Sequence, residues 1–263
     1  MFSFNFLIRA LVAAVLSSFS LAIFSPFVSL RRISYLGEAF SHMAFAGIAI
    51  ALVTGLNGRP VTLIFVIVLA YLIGWLSKRY KLEETNTITI FLSVSMAFAI
   101  ILISLSSAYA FDLSSYLFGN VLLVNSGDLI WVAIMAVLSL AFIIIFYHQL
   151  FYLSYNAEMA QFLRIPVTFV NHLFLILLAT NIVINLKAAG IILVSAQLIL
   201  PAATIFNLVR HLPTVIALSA VLAIVAAVGG FALSWWLNIP TGASIVMLEF
   251  VFFLISLALR KRA

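Results

Sequence analysis

Nine apolar runs, each near the length that crosses a lipid bilayer, follow one another along the chain with only short polar breaks between them. They cover approximately 7–29, 37–56, 60–77, 88–108, 127–147, 167–187, 190–208, 212–236 and 244–259. A hydrocarbon core about 30 Å thick is crossed by about 20 helical residues. Inside lipid each backbone N–H and C=O must be satisfied within its own segment or a closed barrel, and runs this long and this uniformly apolar suit helices. A soluble domain carries roughly 25% charged residues; this chain carries 8%. The prediction is an all-α, polytopic integral membrane protein of about nine transmembrane helices, forming one domain over residues 1–263.

The breaks carry the turn formers and helix stops, as at Asn57-Gly58-Arg59-Pro60 and Asn238-Ile239-Pro240-Thr241-Gly242. Only Lys187 to Gly190 separate the sixth run from the seventh, and broken or partly unwound helices are expected there and near 31–42. The first run, Phe6 to Leu30, is longer than the apolar core of a signal peptide and reads as a retained helix.

The basic residues set the orientation. An odd number of crossings puts the termini on opposite sides. With the C-terminus in the cytoplasm, ten of the 13 Lys and Arg residues are cytoplasmic: Arg31, Arg32, Lys78, Arg79, Lys81, Arg164, Arg210, Arg260, Lys261 and Arg262. Arg9, Arg59 and Lys187 fall outside. That is the positive-inside pattern, and it predicts a cell-membrane protein with its N-terminus outside. The net charge of +6 is thus a consequence of topology and does not call for a nucleic-acid partner. The absence of cysteine excludes disulfides, thiolate metal sites and cysteine nucleophiles.

Against this apolar background a few ionisable residues stand out. Glu38 and His42 are four apart at the start of the second run, which in a helix places them on one face. A carboxylate and an imidazole so stacked make half of a site for Zn, Mn or Fe(II). Charges at such depth cost roughly 2.5–3.5 kcal/mol each, so they mark a substrate path. Glu249, inside the last run, is a candidate third metal ligand, with pairing to another span as the competing reading. His172, Asn181, Asn185 and Gln197 suit interhelical hydrogen bonds. His148 and His211 fall at span ends, where solvation is expected. Gly229-Gly230 suits close helix packing.

Two connecting segments are distinctive. Residues 154–166 are short, polar and helix-compatible, with Asn156 as N-cap, Glu158 in the first turn and Arg164 at the C-terminal end. Phe162 and Leu163 give the segment apolar surface. It reads as a helix that docks on a cytoplasmic partner, with a plain connector as the alternative. Residues 109–126 are too apolar for a free loop and read as an interfacial segment anchored by aromatic side chains.

No Gly-x-x-x-x-Gly-Lys-Ser/Thr occurs, so ATP is not bound by a P-loop in this chain. No His-Glu-x-x-His occurs, which argues against an intramembrane metalloprotease. A proton-coupled secondary transporter using Glu38 and Glu249 is a competing class.

Four segments together resemble the membrane permease subunit of bacterial ATP-binding-cassette importers for divalent metals, of the zinc-uptake type. They are Gly37-Glu38-Ala39-Phe40-Ser41-His42, Tyr116-Leu117-Phe118-Gly119, Leu200-Pro201-Ala202-Ala203-Thr204 and Pro240-Thr241-Gly242-Ala243-Ser244-Ile245-Val246. The resemblance implies the vitamin B12-importer (type II) permease fold. It implies a homodimer forming the pathway, two cytoplasmic ATPase subunits that bind the ATP, and an extracytoplasmic metal-binding protein. The cargo it implies is zinc first, with manganese or iron as the others, and no cofactor is held permanently. It makes 154–166 the ATPase-docking helix, and in this sense Asn156, Glu158, Phe162, Leu163 and Arg164 are docking residues. Two residues depart from the family pattern: Glu38 stands for Asp, and Arg164 for Gly.

Overall fold

The computed structural model describes residues 4–105, 124–155 and 166–260. All of their regular structure is helical. The helices are α1 (Phe4–Ala22), α2 (Ser25–Leu30), α3 (Leu36–Thr54), α4 (Gly58–Arg79), α5 (Glu84–Leu105), α6 (Ser126–Ile145), α7 (Tyr147–Tyr155), α8 (Val167–Gln197), α9 (Leu200–Phe206), α10 (Leu212–Leu237) and α11 (Thr241–Leu259). Among the described residues, eight helical stretches are long and apolar enough to cross a membrane, the sixth of them a 40-residue stretch over Val167–Phe206.

Forty helical residues would measure about 60 Å, twice the hydrocarbon thickness. The stretch is in fact folded back on itself. Asn171 lies at Arg31 and Asn181 at Ser20, so the first arm runs antiparallel to the first span. Gln197 lies at Ser18 and Ala202 at Ser25, so the second arm runs parallel to it. The reversal is at Gly190, whose φ of 74° and ψ of 165° are non-helical. That region is open to glycine and strained for other residues. The nine crossings read from the sequence are thereby recovered, with the break between the sixth and seventh where it was expected.

The first span differs from its expectation. It is two helices, α1 and α2, with a break at Ile23-Phe24. Pro26 is the cause: it has no N–H to continue the ladder, and it sits in the first turn of α2, where none is needed. The adjacent Ser25 Oγ accepts a hydrogen bond from the Ala202 N–H at 3.0 Å and ties α2 to α9. The start of α6 is fixed by a capping box in which the Asn125 side chain accepts from Asp128 N at 2.8 Å and the Asp128 carboxylate accepts from Asn125 N at 3.2 Å.

The core is built from small residues and a few large rings. At Gly230 an added Cβ would stand 2.6 Å from the Ile245 Cα, so α10 and α11 touch backbone to backbone. The close packing expected of the glycine pair is present there. Phe24, fully buried, packs edge-on to Phe174 at 5.7 Å between ring centroids. Through the middle runs a polar seam. Asn181 Nδ2 donates to Ser20 O at 2.9 Å, and Gln197 Nε2 donates to Ser18 Oγ at 3.0 Å. The interhelical role expected of these amides is the one observed. His172 behaves otherwise: its Nδ1 lies 2.6 Å from Thr168 O within its own helix, and its ring packs on Tyr71. His148 and His211 are exposed, as expected.

Polar contacts also define the two ends of the bundle. At one end, Arg31 binds Glu84 at 2.7 Å and also Asn171, and Lys78 donates to Thr168. At the other, Asp128 is held by Arg59 and, at 2.7 Å, by Lys187. The first end carries Arg31, Arg32, Lys78, Arg79 and Lys81; the second carries Arg59 and Lys187. Among the described residues the asymmetry at these two ends runs in the direction expected from the sequence.

Candidate metal pathway

Glu38 and His42 lie on the first turns of α3, one turn apart. His42 Nε2 is 3.8 Å from Glu38 Oε1, and the two side chains are 21% and 51% exposed. Two donor atoms each about 2.1 Å from one ion stand at most about 4.2 Å apart, so the pair is already spaced to share a metal. Their helix is fixed from behind. An added Cβ on Gly37 would meet Leu198 Cδ1 at 2.9 Å and Ser195 Cα at 3.1 Å, which presses α3 against the second arm of the Gly190 hairpin. Ser41 Oγ is buried and donates to Gly37 O at 2.7 Å, so this hydroxyl is occupied.

The depth of the pair follows from its neighbours. Ser195 is two residues from Gln197, which touches Ser18 near the middle of the Leu7–Leu30 stretch. Gly47, farther along α3, abuts Thr62 in the first turns of α4, at the Arg59–Asp128 end. Glu38 and His42 thus lie close to mid-depth, on a face of α3 that the other described residues leave partly exposed. Mid-depth exposure is costly for a carboxylate unless water or an ion reaches it.

Glu249 occupies a different place. It is fully buried on α11 beside Gln197, and among the described residues neither of its carboxyl oxygens is within good hydrogen-bond geometry of a donor. Among the described residues no three His, Cys, Asp or Glu side chains gather to hold a metal, so one chain does not bring Glu249 to the Glu38–His42 pair. Asn156, Glu158, Phe162, Leu163 and Arg164 lie outside the described residues, as does most of the 109–126 segment.

The sequence reading passed over two ionic clusters. Arg31–Glu84–Asn171 joins α2, α5 and α8; Arg59–Asp128–Lys187 joins the starts of α4 and α6 to the hairpin. Asn125 and Asp128, three apart ahead of an apolar run, were a readable capping signal for the second. The first offered no local signal, since its members are 53 and 140 residues apart.

Residues 3–260 match the model of the ABC 3 transport family. The chain belongs to this family. It is 33% identical to the manganese transport system membrane protein MntC of Halalkalibacterium halodurans, over 95% of this chain and 86% of that protein. It is 26% identical to the high-affinity zinc uptake system membrane protein ZnuB of Haemophilus influenzae, over 98% and 99%. Its structure superposes on PsaBC from Streptococcus pneumoniae, solved in complex with Fab, with a TM-score of 0.82 and 31% identity over 97% of this chain and 91% of that one. An inward-facing metal-chelate type ABC transporter matches with a TM-score of 0.77 at 16% identity, over 95% and 85%, and shares the fold. The resemblance to metal-importer permeases drawn from the four motifs is borne out, and the fold is the type II permease fold.

Proposed function

We propose that the chain is the membrane-spanning subunit of an ATP-driven importer of a divalent transition metal, and that Glu38 and His42 contact the ion in transit. The observation that carries this is the pair itself: an oxygen and a nitrogen donor 3.8 Å apart, near mid-depth, on a face that the other described residues leave partly exposed. A single pair is half a coordination set, and a second copy facing the first would supply two carboxylates and two imidazoles. That is the reason for reading the working form as a homodimer with the pathway between copies.

The donor set does not separate zinc from manganese. Imidazole suits zinc, and carboxylate suits manganese. The relative at 33% identity is named for manganese and the one at 26% for zinc. This reading therefore takes both as cargo, manganese ahead of the zinc first expected. ATP enters through a separate subunit, for which residues 156–165 are the docking segment, and an extracytoplasmic metal-binding protein delivers the ion. The end bearing Arg31 and Lys78 is cytoplasmic by the positive-inside rule. Uptake of radioactive manganese and zinc by cells lacking this gene, with and without its return, tests the reading. Uptake of neither ion above the deletion background overturns it.

A further inference from the structure

We propose that the cleft at the Arg31 end of the bundle binds a phosphate group, as carried by the head of an anionic phospholipid or by phosphate in solution. The cleft measures about 420 Å³ and opens between the ends of α2, α4 and α7 and the start of α8. Among the described residues its wall carries three cations, Arg31, Arg32 and Lys78, against one carboxylate, Glu84. Glu84 is already bound at 2.7 Å to Arg31 Nη2. The other terminal nitrogen of Arg31, Nη1, has no hydrogen-bond partner among the described residues, although the side chain is only 8% exposed and its guanidinium lies over the Phe174 ring. The hydroxyls of Ser77 and Ser154, on the same wall, are also buried without hydrogen-bond partners among the described residues.

Buried donors without acceptors are costly. A guanidinium N–H and two hydroxyls, with two further cations at the rim, form a donor-rich, net-positive lining. The ligand that complements it carries several acceptor oxygens and negative charge, which is the chemistry of phosphate. The place suits a lipid as well. Basic clefts between helices at the cytoplasmic surface are where anionic head groups settle. Leu30 and Val167 line the same cleft and give an acyl-bearing ligand apolar contact. The ion pathway makes no use of these groups, and the inference stands whichever metal is carried.

The test uses the full chain, purified and stripped of lipid, with native mass spectrometry as the readout. Phosphatidylglycerol, phosphatidylcholine and inorganic phosphate are the probes. One phosphatidylglycerol per chain is expected to be retained about tenfold better than phosphatidylcholine. Arg32→Gln and Lys78→Gln, on exposed cations, should each lower that retention about fivefold. Ser77→Ala with Ser154→Ala, which removes two donors and little volume, should lower it further, whereas Lys187→Gln at the opposite end should not. Competition by millimolar inorganic phosphate, or variant-sensitive binding of inorganic phosphate alone, assigns the cleft to phosphate in solution. Failure of phosphate to compete, with the variant pattern intact, assigns it to the lipid head group. Equal retention of both lipids with no phosphate bound, or full retention by all the cleft variants, overturns the proposal.

Discussion

Gly37 and Ser195 meet backbone to backbone: a Cβ on Gly37 would stand 3.1 Å from the Ser195 Cα. This contact places the Glu38–His42 turn against the second arm of the hairpin. Gly37→Val is therefore expected to push α3 away from that arm. Overpacking of this kind costs about 1–3 kcal/mol. Metal uptake should fall several-fold, with the Glu38 and His42 side chains intact and the protein still in the membrane. Uptake and thermal stability measured together check it. Unchanged values for both would mean that the arm yields freely and does not position the site.

Removing the donors themselves should have a different signature. Glu38→Gln keeps size and loses charge, and His42→Ala loses the nitrogen. Glu38 is half exposed and His42 one-fifth exposed, so neither supports the core. Each variant should insert and melt like the parent and fail to carry metal. Normal uptake by the double variant would place the ion path elsewhere.

Glu84 and Asp128 are both largely buried, and the two ionic clusters should differ in weight because the cations left behind differ in burial. Arg31 and Glu84 are 8% and 19% exposed, and losing one partner leaves the other charge poorly solvated. Glu84→Gln is expected to cost about 2–3 kcal/mol. Asp128 is held by Arg59 and Lys187, which are 42% and 49% exposed and can turn to water. Asp128→Asn should cost about 1 kcal/mol or less, falling as salt is added. Thermal melts of both variants at low and high ionic strength measure the contrast; an Asp128→Asn loss larger than that of Glu84→Gln would reverse this ranking.

The crossings were legible because lipid enforces one rule on every segment, and that rule leaves long apolar runs. The hairpin was legible at Gly190 for the same reason, since a 40-residue stretch had to turn somewhere. The break in the first span was signalled by Ser25-Pro26 but masked by the unbroken apolar run around it. Glu38 and His42 could be paired because their contact is local, one helical turn. Glu249 could not be placed: its neighbour Gln197 comes from another span, and no periodicity encodes which spans touch. The Arg31–Glu84–Asn171 cluster escaped for the same reason.

Residues 156–165 join α7 to α8, and described residues on either side of them, Tyr155 and Val167, line the cleft that carries Arg31 and Lys78. With no P-loop in the chain, work from ATP is expected to enter through a contact surface, and on the docking reading Phe162 and Leu163 are the apolar anchors. Central anchors of such surfaces are worth about 2 kcal/mol or more. Phe162→Ala with Leu163→Ala is expected to weaken co-purification of the ATPase and lower uptake. Undiminished pull-down with undiminished uptake would make the segment a plain connector.

The sidedness can be fixed independently of transport. The chain has no cysteine, so single cysteines report without background. Asn57 and Ser126 are exposed at the Arg59–Asp128 end, and Glu83 and His211 are exposed at the opposite end. Because Arg31, Arg32, Lys78, Arg79 and Lys81 gather at that opposite end, it should face the cytoplasm. A membrane-impermeant thiol reagent applied to intact cells should label Asn57→Cys and Ser126→Cys and spare Glu83→Cys and His211→Cys until the membrane is opened. The reverse pattern would put residues 156–165 outside the cell. No cytoplasmic ATPase could reach them there, so this experiment bears on the coupling reading as well as on the topology.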